Sequence, residues 1–415
     1  MLRVLLVLLA TCGCLLADAR AVLALEAVGT IKKIDPERRL IVVFAGGQDR
    51  HLTADRHLQV LDEAGRDLPE GLQASALKTG VTVTITVERE QNQFVLKKLQ
   101  LGGTVPARPT RTADRRVTGE RVGLKPLTEM SARDTYQGED GGLYGQGENE
   151  PPPALRTAAR EETAQIVPRG RDGRPARDGR IVLISISMSN WTQEFSVFKR
   201  LADRDPEKSP RVTIVDCAQG GQPMSRWADP QSQTWTVAEQ RLAREQVTPA
   251  QVQVVWIKLA NPGPSGDLAQ HGKALQKDTT AVLQQARERF PNLRLAYLES
   301  RIFAGHATTG LNPEPYAYEG AFVVRWLIQA QQRGDRELNY KHGADAVKAP
   351  LLLWGTYLWG DGAEPRQSDG LVWNRDDFAA DGTHPSEAGQ RKVAELLLKF
   401  CKTDDQVKSW FVRQP

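Results

Sequence analysis

Cysteine is scarce in this chain, and its scarcity removes several readings at once. Four cysteines occur in 415 residues, and two of them, Cys12 and Cys14, sit in an apolar stretch at the amino terminus. The other two, Cys217 and Cys401, are too few for a disulfide scaffold. They form either one disulfide or two buried free thiols, and the thiols are preferred because sequence does not bring them together in space. No Cys/His cluster has zinc spacing, so no metal is expected. One-sided charge is missing too: 55 basic against 51 acidic residues leave a net +4, interspersed along the chain, which argues against nucleic acid as a partner. Long apolar runs are absent beyond the first 21 residues, so no integral membrane segment is expected once those are removed.

The opening residues read as a signal peptide, residues 1–21. Arg3 supplies the positive start, Val4 to Leu16 the apolar run, and Ala17-Asp18-Ala19 or Ala19-Arg20-Ala21 a small-residue cleavage site. Thr11 before Cys12, and Thr11-Cys12-Gly13 before Cys14, fit a lipid-attachment box poorly. The mature chain is therefore expected to be exported, periplasmic or extracellular.

Three sections follow. Residues 22–103 alternate short β-rich runs with turn signals: Gly29 to Ile34, Leu40 to Phe44, Val81 to Val87, and Phe94 to Leu96. The run from Val81 to Val87 alternates valine and isoleucine with threonine, the pattern of a half-buried strand. Five or six such strands predict a small all-β barrel, either structural or binding a sugar or a protein. Residues 104–178 are rich in Pro, Gly, Arg and Glu and read as a linker. Its segment from Tyr136 to Pro153, with two tyrosines among glycines, is expected to pack on the third section.

Residues 179–412 alternate apolar strands with helices. Strands are expected at 181–184, 212–215, 252–257, 293–298 and 351–354, with helices at 192–202, 268–290, 318–332 and 386–400. This is the pattern of an α/β fold, three layers deep, with a parallel sheet covered on both faces. Functional groups in such sheets collect beyond the carboxyl ends of the strands. Those ends carry Ser187-Met188-Ser189-Asn190, then Asp216 to Gly221, then Leu259-Ala260-Asn261-Pro262; Asp381-Gly382-Thr383-His384-Pro385 precedes the last helix.

Together these supply the parts of an acyl-transfer site. A serine hydroxyl needs an imidazole to take its proton, and the imidazole needs a carboxylate to fix its tautomer. Ser189 is the candidate nucleophile, His384 the base and Asp381 the orienting acid, with Ser187 a competing nucleophile. Backbone N–H groups of Ser189 and Gly221, with the Asn261 amide, are the candidate oxyanion hole. The four blocks, in this order, resemble the SGNH (GDSL-like) serine hydrolases over about residues 179–405. Asp381-x-x-His384 followed by Pro385 is the most specific match. The usual Gly-Asp-Ser reads Ser187-Met188-Ser189 here, and the usual Gly-x-Asn-Asp reads Leu259-Ala260-Asn261-Pro262. The resemblance implies a flavodoxin-like domain and an esterase with no cofactor, acting on a small ester or an acylated carbohydrate. Its altered blocks leave open a catalytically silent module that binds a glycan or cell-envelope partner.

Further candidates are two-sided. Arg301 and Glu299 would bind a polar substrate or form a structural ion pair. The segment from Asn312 to Glu319, including Tyr316, would line a sugar site or form a rigid loop. Trp354, Tyr357, Trp359 and Trp373 would stack on a sugar or fill the core. His306 is expected to be structural.

Overall fold

The computed structural model describes residues 25–45, 48–90, 93–102, 118–343 and 345–413. The expected signal peptide, residues 1–21 with Cys12 and Cys14, and residues 104–117 of the expected linker lie outside them. The chain divides into two compact units, Met1–Arg111 and Thr112–Pro415.

In the first unit β1 (Leu25–Asp35), β2 (Leu40–Ala45), β3 (Gln48–Leu61), β4 (Thr82–Glu90) and β5 (Gln93–Leu101) close a barrel in the order β1-β2-β3-β5-β4. Only β3 and β5 run parallel. Alternation sorts the faces: Val83, Ile85 and Val87 are buried, while Thr82 is exposed. Ile31, Ile41, Leu96 and Leu99 fill the same interior. The strand β3 has no counterpart in the sequence expectation, because it is mostly polar and buries little beyond Leu52, Ala54, Val60 and Leu61.

The second unit contains α1 (Pro153–Thr163), β6 (Ile181–Ile186), α2 (Ser189–Arg204), β7 (Val212–Asp216), α3 (Met224–Trp227), α4 (Gln233–Arg244) and β8 (Val252–Lys258). It continues with α5 (Leu268–Arg289), β9 (Leu295–Glu299), α6 (Tyr316–Gln332), β10 (Leu351–Trp354), α7 (Glu387–Thr403) and α8 (Asp405–Phe411). Every residue of β6, β8, β9 and β10 is buried, which is why these strands read as mostly apolar runs, with Ser185, Gln253, Lys258 and Glu299 the polar exceptions. The sheet order is β10-β9-β8-β6-β7, all pairs parallel. Renumbered within the unit, that is the flavodoxin-like order 2-1-3-4-5.

The chain leaves β6 in one direction for β7 and returns across it for β8. With right-handed crossovers, α2 therefore covers one face and α4, α5 and α6 the other. Consistent with this, α2 packs on α7 and α5 on α6. The reversal opens a crevice at the carboxyl ends of β6 and β8, the residues just before Ser187 and Leu259.

The expected linker is structured from residue 118 onward, where Leu127, Met130, Leu155 and Ile166 join the core of the second unit and α1 forms. Tyr136 stacks on Phe322 and stands edge-on to Tyr318, and Arg325 donates to the Asp140 and Gly142 carbonyls at 2.7 and 3.2 Å. The Trp354 indole donates to the Leu143 carbonyl at 2.8 Å. Glycines here let the segment fold closely on itself and on α6: a Cβ at Gly141 would lie 1.9 Å from the Met130 carbonyl oxygen, and one at Gly145 2.9 Å from Gln329 Nε2. A high glycine content thus marks close packing, where composition alone suggests a tether.

Because residues 118–413 carry their own continuous core, a chain beginning at Thr112 should fold alone. Its expected signature is one cooperative thermal transition with native near-ultraviolet dichroism; a gradual, non-cooperative melt would show that the barrel is needed.

Candidate active site

Ser189 is the first residue of α2, at the end of a strand buried on all sides. Met188 before it is extended, with φ −103° and ψ −162°, so the chain turns from strand to helix at the serine itself. The Ser189 Oγ lies 2.8 Å from His384 Nε2, and His384 Nδ1 lies 2.6 Å from Asp381 Oδ2. Ser187, the competitor, is elsewhere: its hydroxyl donates to the Lys258 carbonyl at 2.6 Å, and its side chain is buried.

The acid–base loop is held from three sides. Asp381 Oδ1 accepts the N–H groups of Thr383 and His384, each at 3.0 Å. Asn190, next to the serine, donates to the Thr383 carbonyl at 2.7 Å. Gly382 has φ +62°, and a Cβ there would sit 1.7 Å from the His306 carbonyl oxygen, so only glycine fits. Burial opposes ionisation of Asp381, but hydrogen bonds from the His384 ring and from the His384 and Thr383 N–H groups outweigh it, bringing the carboxyl down to about 2. The carboxylate is thus charged wherever the imidazole needs it. His306 packs edge-on against Phe303, with no nucleophile in contact.

The candidate oxyanion donors are set by the loops after β7 and β8. Asp216 accepts from Ser185 Oγ at 2.5 Å and from the Thr192 hydroxyl, tying the loop after β7 to the first turn of α2. That places Gly220 against the serine: a Cβ on it would lie 3.9 Å from Ser189 Cβ. Gly221, at φ +73°, meets nothing within 4 Å. Among the described residues, neither glycine N–H has a backbone acceptor, and the first N–H groups of α2 have none within the helix. The Asn261 amide is held at both of its ends, which leaves one amide proton without a hydrogen bond among the described residues. Its Nδ2 donates to Asp278 at 2.7 Å, and its Oδ1 accepts the Ser225 N–H at 3.0 Å. A charged carboxylate holds an amide proton more strongly than a neutral acceptor.

All four substrate-binding candidates are buried, Tyr316 the least so at 8% exposed. Trp373 is fully enclosed and donates to the Leu358 carbonyl at 2.9 Å, so it packs and does not stack on a ligand. Trp354, Tyr357 and Trp359 are buried as well. Glu299 is fully buried and accepts the Thr356 N–H at 3.0 Å. Burial pushes its carboxyl up to about 8, against the pull of Lys258. Arg301 is 2% exposed, and its Nε and Nη2 have no hydrogen-bond partner. Tyr316 lines a cleft between the β8–α5 connection and α6.

Sequence reasoning missed the ion pair beneath the site. Lys258 ends β8 and bonds Glu194, five residues after the nucleophile, with both side chains buried. Burial pushes each toward its neutral form and the partner's charge resists. A lysine closing a mostly apolar strand was the available signal, since such a cation must find a carboxylate. Cys217 and Cys401 are free and buried, the preferred alternative.

No protein-family model and no curated protein matches the chain. Among solved structures, a putative acylhydrolase from Bacteroides fragilis is similar at 15% identity and TM-score 0.29, over 60% of this chain and 96% of its own. A GDSL-like lipase from Bacteroides thetaiotaomicron aligns at 13% identity and TM-score 0.28, over 59% and 95%. Apo-CusF from Escherichia coli aligns at 16% identity and TM-score 0.17, over 21% and 98%. At such scores the likeness says nothing about the site, whose reading rests on the hydrogen bonds around Ser189.

The folded Asp381 carboxyl, at about 2, lies below its ordinary 3.8. Its contribution to stability is therefore complete above about pH 4 and is lost as pH falls toward 2. Asp381→Asn should flatten the decline of the urea midpoint in that window; an unchanged decline would show that Asp381 does not contribute to it.

Proposed function

We propose that residues 179–412 form an SGNH-type serine esterase that hydrolyses carboxyl esters, with a small ester or an O-acylated carbohydrate as substrate and export as its setting. The observation that carries this reading is the unbroken chain Ser189–His384–Asp381, at 2.8 and 2.6 Å. In the reaction His384 Nε2 takes the hydroxyl proton as Ser189 Oγ attacks the ester carbonyl. Asp381 holds the opposite ring nitrogen and stabilises the imidazolium that forms. Negative charge on the former carbonyl oxygen faces the first N–H groups of α2 and the N–H of Gly220 or Gly221, aided by the helix dipole. The imidazolium returns its proton to the leaving alcohol, which leaves an acyl-serine. Water, deprotonated by the same imidazole, then attacks the acyl carbonyl and releases the acid.

Two features support a single nucleophile. Ser187 already spends its proton on a backbone carbonyl. Ser189 alone among the two touches an imidazole. A fluorophosphonate probe should label the wild-type chain and Ser187→Ala, but not Ser189→Ala. The last variant should also lose on the order of a thousandfold or more in kcat on a short-chain ester. Absence of labelling in well-folded wild type would favour the silent binding module, and loss of labelling in Ser187→Ala alone would reassign the nucleophile.

A further inference from the structure

We propose that Glu314 is a positioning residue: its carboxylate fixes the loop between β9 and α6, and through that loop the Asp381–His384 pair, relative to Ser189. The catalytic sense of this rests on the esterase reading, while the alignment itself does not require turnover. Glu314 is fully buried and makes no hydrogen bond to the triad. Its Oε1 accepts the Ala304 N–H and the Trp359 indole N–H, each at 2.8 Å. Its Oε2 accepts the Tyr318 N–H at 3.0 Å. One side chain thus clasps together the start of the loop, the first turn of α6 and the segment after β10.

Between the two ends of that clasp the loop meets the triad. The His306 carbonyl oxygen fills the space that a Cβ on Gly382 would need. The Thr308 N–H and hydroxyl both donate to the Asp381 carbonyl, at 2.9 and 3.1 Å. Thr309 Oγ1 lies 3.2 Å from Thr383 Oγ1. On the other side, Asn190 of α2 holds the Thr383 carbonyl, and α2 is itself tied to β8 through Glu194 and Lys258. The acid–base loop is therefore gripped between the serine's helix and residues 306–309. A shift of those residues moves His384 while Ser189 stays, and a misplacement of about 1 Å can cost on the order of a hundredfold in rate.

The clasp needs a carboxylate. All three partners are N–H donors, so both oxygens must accept, and an amide in their place would turn its own NH2 toward a donor. Burial pushes the Glu314 carboxyl up to about 7, against the pull of those hydrogen bonds and of the Arg301 charge. The ionisable groups whose fields couple to it are Arg301 on the same loop and the phenols of Tyr318 on α6 and Tyr357 after β10. A proton gained as pH falls through that value sets an O–H against one of the N–H groups and loosens the clasp.

The test compares the full wild-type chain with Glu314→Gln, which keeps the side chain's size, and with Trp359→Phe, which removes one of the three bonds. On a short-chain ester, kcat should fall on the order of ten- to a hundredfold in Glu314→Gln and by a smaller factor in Trp359→Phe, with KM within about twofold of wild type. The acid limb of the wild-type pH profile should be steeper by one proton than that of Glu314→Gln. The proton resonance of the His384 Nδ1–H bonded to Asp381, identified by its loss in His384→Ala, should be present in wild type and shifted or lost in Glu314→Gln. Unchanged kcat in Glu314→Gln, or in Trp359→Phe should the first variant not fold, would overturn the proposal. Fluorophosphonate labelling of wild type separates the two claims. Labelling at equal rates in wild type and both variants removes the positioning role and keeps the esterase. Where wild type is not labelled, the esterase reading fails and the resonance decides: unchanged in Glu314→Gln, it removes the positioning role as well.

Discussion

Burial of the central sheet on both faces is the constraint from which the rest of the second unit follows. Strands with no exposed face can carry no functional side chain along their length, so chemistry is confined to their ends. The reversal of strand order between β6 and β8 then selects which ends diverge to leave a crevice. Ser189 follows β6, Asn261 follows β8, and the β7 loop is drawn in by Asp216. His384 comes from outside the sheet, on a loop whose shape Gly382 permits.

The same constraint explains the charges under the site. Where β8 and β9 end, Lys258, Glu299 and Arg301 are buried together with Glu194. The Lys258–Glu194 bond ties the serine's helix to the neighbouring strand end. Such a pair contributes little net stability compared with apolar packing, but breaking it by removing one partner is costly. A position held in this way resists drift of the serine relative to its imidazole. That suits a reaction in which small displacements lose large factors in rate.

Much of this was legible in the sequence, for identifiable reasons. Apolar runs gave the strands of the second unit, because a doubly covered strand must be mostly apolar. Asp381-x-x-His384 was legible as a carboxylate–imidazole pair, because three residues on one loop fix their separation. Polar β3 was not legible: a barrel strand buries only one face, and this one exposes most of its length. Residues 118–135 and 154–178 read as tether because glycine and proline signal flexible chain and close packing alike. Trp373 and Glu299 were offered to the substrate because sequence locates a residue near a strand end but not which way it points.

The central claim is that an acyl group passes through Ser189 Oγ. Rapid acid quench of the wild-type chain during turnover of an activated acetyl ester, followed by fragmentation mass spectrometry of the peptide spanning β6 and α2, tests it directly. The account predicts an acetyl group on Ser189 and none on Ser187, absent when His384 is replaced by alanine. Turnover without any acyl adduct on Ser189, or an adduct on Ser187, would contradict it.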